Sequence, residues 1–150
     1  MTALVCPPLK TALFDRLDSD PPVRAVYLDL SDCEYMDSTF LGLIVGAQKR
    51  FARLSRPRGD SASIVLIKVN EPCKGLLRTI GVLGMVELSD DPPPFPESLA
   101  RLSGEARATA RFLLDAHEEL SEISAENRKR FGALTTVLKK AIDDEGKKTP

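Results

Sequence analysis

The sequence has no tryptophan, one histidine and three cysteines in 150 residues, and only 5% of it is aromatic. Each scarcity closes off a class. Cys6, Cys33 and Cys73 are odd in number, far apart and without C-x-x-C spacing, so neither a disulfide framework nor a zinc site is expected. With few aromatics, Leu, Ile, Val and Ala must supply most of the packing. An excess of charge is missing too: 21 basic residues against 22 acidic leave a net −1, which gives no electrostatic reason to expect nucleic acid or an anionic membrane as partner. The clusters Lys49-Arg50, Arg56-Pro57-Arg58 and Arg128-Lys129-Arg130 are short and separated, and read as solvated surface. No apolar run reaches the roughly 18 residues needed to span a bilayer, and the N-terminus lacks the charged, apolar and small-residue order of a signal peptide. No Gly-rich phosphate loop is visible, so no cofactor is expected. These absences point to a soluble, reduced, cytoplasmic protein.

What is present is a packed domain: 43% of residues are hydrophobic and 29% charged, a balance that supports a core and argues against global disorder. Cys6-Pro7-Pro8 starts a helix, because proline is tolerated in a first turn, and Leu9, Leu13 and Leu17 with Ala12 share one face. Asp18 to Pro22 stops it. Val23 to Leu30 reads as a strand with apolar residues on both faces, hence covered on both sides. A helix from about Thr39 to Leu54 follows. Its Gly42 and Gly46 share a face and cost about 1 kcal/mol each in propensity, which implies close approach of a neighbouring element. Ala62 to Val69 is a second strand. Asn70-Glu71-Pro72 opens a third helix, with Leu76, Leu77 and Ile80 as its buried side and Gly81 just past its end. Val82 to Leu88 reads as a third strand. The alternation predicts an α/β fold with helices packed on a parallel or mixed sheet.

The composition then changes. The expected organisation is a domain over residues 1–90, a proline-rich connector over 91–98 and a helical extension over 99–150. Ser103 is the expected cap of the extension, and Ala106, Ala110, Leu113/Leu114, His117 and Leu120 begin an apolar stripe. Ile123, Asn127, Phe131, Leu134, Val137/Leu138 and Ala141/Ile142 continue it, with a break expected near Ser121 to Ser124 or at Gly132.

The chain is organised around the junction where strand turns into helix, at Asp37-Ser38-Thr39. A serine at a helix start serves as an N-cap. The same place suits a phosphate, because unpaired N–H groups and the helix dipole attract anions. Phosphorylation of Ser38 would add about −1.5 to −2 charges beside Asp37 and change the surface shown to a partner. Cap and switch are compatible roles. Hydrolytic catalysis is not expected: it requires a base within hydrogen-bond reach, no G-x-S-x-G elbow surrounds Ser38, and the one histidine lies far along the chain on the apolar stripe, where it reads as a packing or interface residue.

The run from Leu28 to Phe51, with Asp29-Leu30 ending a strand and Met36-Asp37-Ser38-Thr39-Phe40-Leu41-Gly42 opening a helix, resembles the signature of STAS domains of the anti-sigma factor antagonist type. The stretch from Ile64 to Leu88 is similar to the strand, helix, glycine and short strand that follow in that family. The resemblance covers roughly residues 8 to 90. It implies a STAS-like fold, a partner that is both anti-sigma factor and serine kinase, and Ser38 as phospho-acceptor, with Asp37, Ser38, Thr39 and Phe40 at the partner surface and Thr39 a secondary acceptor. The chain departs from the family in reaching its first helix within about eight residues, so either the true start lies upstream or the N-terminal strands are short or missing and a sheet edge is exposed. It also departs in carrying Phe40 where many members have glycine; this side chain either packs inward or enters the partner interface. The alternative is a constitutive interaction or dimerisation module of the same fold with no phospho-switch. In either case the C-terminal helices cover the sheet or its exposed edge, or else form a homodimer or a partner-docking arm, with Asn127 the kind of residue that sets register in helix pairs.

Overall fold

Proline punctuation and leucine spacing set the first element. In the computed structural model, which describes residues 1–59, 63–91, 93–98, 102 and 107–148, α1 spans Cys6–Leu17 with proline in its first turn and buries Cys6, Leu9, Leu13 and Leu17. β1 (Ala25–Asp29), β2 (Ser63–Ile67) and β3 (Glu87–Ser89) form a parallel sheet in the order β1-β2-β3. Val26 lies opposite Ile64, Leu28 opposite Leu66, and Leu66 opposite Leu88. α2 (Ser38–Ser55) and α3 (Glu71–Ile80) link the strands, as parallel pairing demands. The chain is therefore an α/β fold with helices packed on a parallel sheet.

Helix ends follow local chemistry. Asn70 caps α3 by accepting from the Cys73 N–H, and Gly81 ends it in the left-handed region at φ 85°, where a side chain would be strained. Two expectations change. Val82–Gly84 is a 3₁₀ turn rather than strand, which leaves only Glu87–Ser89 to pair with β2. β1 is also not covered on both faces. Ile64 and Leu66 enter the main core, with Val26 and Leu28 against it, whereas Tyr27 on the opposite face is 42% exposed and Asp29 is exposed. β1 lies at the sheet edge, and only the central β2 is buried through both faces, from Ile64 to Ile67.

The C-terminal segment is not a separate body. α4 (Ala110–Ser121) and α5 (Ala125–Lys148) break where the serines predicted. Leu120 and Phe131 join the same core as α1, α2 and α3. The cap expected at Ser103 and the first stripe residue, Ala106, lie outside the described residues, as does Ala62 at the expected start of the second strand. α4 is capped instead by Thr109, whose hydroxyl accepts from the Phe112 N–H. Asn127 is 1% exposed, and its amide donates to the carbonyls of Ile80 at 2.8 Å and Leu120 at 3.0 Å. It fastens α5 to the ends of α3 and α4 within one chain. No described helix is long and apolar enough to cross a membrane.

Candidate functional site

The site begins with the cap of α2, and the cap is Asp37 rather than Ser38. Asp37 is extended at φ −97°, ψ 172°, and its Oδ1 accepts from the Phe40 N–H at 2.9 Å. Both residue types are good caps, but a carboxylate also carries charge favourable to the positive end of the helix. Its second oxygen accepts from the Ala3 N–H at 2.8 Å, and its own N–H donates to the Met1 carbonyl at 3.0 Å. Asp37 therefore holds the N-terminal residues and the helix start together.

With capping assigned to Asp37, Ser38 is the first helical residue and its hydroxyl is available for another partner. That partner is His117, with Oγ and Nε2 2.8 Å apart. His117 Nδ1 lies 2.7 Å from the Leu113 carbonyl, one helical turn earlier in α4. A carbonyl only accepts, so Nδ1 carries the proton; in the neutral ring Nε2 is then bare and accepts from the Ser38 O–H. His117 is 3% exposed and its ring meets Phe131 at 5.4 Å between centroids. The imidazole is thus fixed from three sides.

Backbone geometry allows this approach. A Cβ built on Gly42 would lie 2.8 Å from the Ala116 Cα and closer still to the Ala116 carbonyl oxygen, so only glycine lets α4 cross α2 here. This is the close approach that the two glycines imply. Further along, Lys49 Nζ bridges Glu119 at 2.6 Å and Glu122 at 2.5 Å. Burial pulls the Lys49 ammonium down, but the hydrogen bonds it donates to Glu119 and Glu122 and their negative charge outweigh it, and the net shift is upward. An open crevice of about 400 Å³ lies between α1, α2 and α4, lined in part by Lys10, Phe14, Gly46, Arg50, Phe112 and Glu119. A second, of about 510 Å³, runs along Met1, Thr2 and residues 29–35. Ser38 and His117 line neither.

Of the four residues expected at a partner surface, Asp37 and Ser38 are half-buried, Thr39 is 4% exposed and Phe40 is fully buried. Phe40 takes the inward alternative, as part of the core. In this arrangement Thr39 and Phe40 are closed to a partner, and α4 shields the Ser38 hydroxyl. Among the described residues no group of three or more His, Cys, Asp or Glu could hold a metal.

Sequence reasoning missed the Ser38–His117 pair. Its trace was a polar ring on a buried stripe: a histidine at such a position needs a partner, and a serine relieved of capping is one. Chemically, the pair has a serine hydroxyl, a bare ring nitrogen and a carbonyl orienting the ring, which are parts of an activated nucleophile. What it lacks is room for a substrate in either crevice. In comparisons with known proteins, no family model, no curated protein and no solved structure matches the chain, and nothing in them identifies a STAS domain.

Proposed function

We propose that this chain is a regulatory binding protein switched by phosphorylation of Ser38, of the anti-sigma factor antagonist type that its Asp37-Ser38 motif resembles, and not an enzyme. Its partner on this reading is a cytoplasmic anti-sigma factor that is also a serine kinase. The observation that supports it is the hydrogen bond from Ser38 to His117 across the α2–α4 interface. A buried polar pair adds little to stability over apolar packing, yet it is sensitive to charge. A phosphate on Ser38 would remove the donated proton and place about −1.5 to −2 charges against a bare ring nitrogen and beside Asp37. The helix N–H groups of Phe40 and Leu41 are already committed to Asp37. The modification would therefore loosen α4 from α2 and alter the surface around the helix start.

The second reading is a constitutive interaction module. The burial of Thr39 and Phe40 and the cover that α4 gives Ser38 favour it. Intact-mass analysis with site mapping, on protein isolated from its native cells, separates the two. A phosphate on Ser38 that vanishes in Ser38→Ala supports the switch; unmodified protein across growth conditions, or equal phosphate uptake by the Ala variant, overturns it.

A further inference from the structure

α5 carries a second apolar row that the other described residues leave largely exposed. Asn127, Phe131 and Leu138 are buried against the rest of the fold. Leu134 is 41% exposed and Val137 64% exposed. At about 100° per residue, Arg130, Leu134, Val137, Ala141 and Asp144 fall in a stripe roughly 80° wide, turned about 90° from the buried row. The spacing alternates four and three residues, the pattern of a helix–helix seam. Asn127, the residue expected to set register in such a pair, is spent inside the chain, so any seam between copies must use this other row.

We infer that this row pairs with itself in a second copy of the chain, as an antiparallel α5–α5 contact about a two-fold axis at Val137. The order of residues makes it self-complementary. Around that axis Val137 meets Val137, Leu134 meets the small Ala141, and Arg130 meets Asp144 at each end. Parallel pairing would set Arg130 on Arg130 and Asp144 on Asp144, so charge selects the antiparallel arrangement. Arg130 bonds Glu126 at 3.0 Å within its own helix, and a guanidinium with five donors serves both carboxylates. The seam is short, on the order of 20 Å. An interface of that size falls below the roughly 1,200 Å² of a stable complex and defines a weak, concentration-dependent dimer. None of this depends on whether Ser38 is phosphorylated.

Sedimentation equilibrium of the full chain, from micromolar to millimolar concentration, tests it. The wild type is expected to shift from monomer to dimer, and Val137→Glu to stay monomeric. Arg130→Glu and Asp144→Arg each set like charges together at both ends of the seam and should weaken the dimer by roughly tenfold or more. The double variant restores opposite charges and should recover it. All three positions are on the surface row, and circular dichroism confirms that each variant folds. A wild type that stays monomeric at the highest concentration, a dimer indifferent to Val137→Glu, or a double variant no better than the singles overturns the proposal.

Discussion

Gly42→Ala and Gly46→Ala are chemically the same change four residues apart in α2, and they should have opposite effects. In an exposed helix interior either would gain about 1 kcal/mol of propensity. At Gly46 the new methyl would sit 3.4 Å from the Glu119 Cγ, an ordinary contact with a flexible side chain, so most of the gain should survive. At Gly42 the methyl would lie 2.8 Å from the Ala116 Cα and nearer to its carbonyl oxygen. These are backbone atoms, and no rotamer change relieves the overlap. Overpacking of this kind costs about 1–3 kcal/mol, and a backbone-to-backbone clash belongs at the upper end. The net is a loss of about 2 kcal/mol for Gly42→Ala, and a gap of about 3 kcal/mol between the two variants. At about 2–4 °C per kcal/mol for a chain of this length, the melting temperatures should differ by roughly 6–12 °C. Urea unfolding of both variants alongside the wild type measures the gap. A Gly42→Ala protein as stable as the wild type, or two variants that move in the same direction, would refute the account of the α2–α4 crossing.

Three further outcomes follow from the same geometry. Ser38→Asp should speed hydrogen exchange of the α4 amides well beyond the change in Ser38→Ala, which leaves His117 Nε2 without its donor and costs about 1–3 kcal/mol; equal exchange in both would disconnect charge at residue 38 from α4. Asn127→Leu should lower stability by about 2–3 kcal/mol, because the Ile80 and Leu120 carbonyls lose their shared donor, and a neutral result in urea would show that water takes its place. Burial, followed by the charge of Asp37, pushes the Cys6 thiol up from 9.0 to about 12. A raised folded value stabilises the protein fully below the unfolded value, and that contribution is lost as pH climbs through the window from 9.0 to about 12. The alkaline fall in urea midpoint should therefore be shallower in Cys6→Ala than in the wild type; identical slopes would contradict it.

The parts of the fold that were legible in the sequence are those set by neighbours in the chain. Proline before a leucine row gave α1, Asn70 and Gly81 bracketed α3, and paired glycines in α2 announced a close crossing. The strand expected from Val82 was less legible, because an apolar run after a helix-ending glycine reads alike as strand or 3₁₀ turn. Tyr27 looked buried because alternation shows which residues share a face and not which face the helices choose. At the site, local chemistry pointed to Ser38 as the cap, and the role falls instead to its neighbour Asp37, an equally good cap that also carries charge. Local chemistry also had no access to a hydrogen bond whose ends are 79 positions apart.

That separation has a consequence for synthesis. A ribosome adds about 5–20 residues per second, so on the order of 4–16 s pass between the making of Ser38 and the making of His117. During that interval the sheet and α2 can form, but the face of α2 around Gly42 has no α4 to meet it. The serine hydroxyl is then open, with the flanking leucines and glycines exposed to whatever else is nearby. The nascent chain therefore passes through a form in which Ser38 is more accessible than in the finished protein. A modifying enzyme or chaperone acting at that moment would meet a surface that the completed fold later closes.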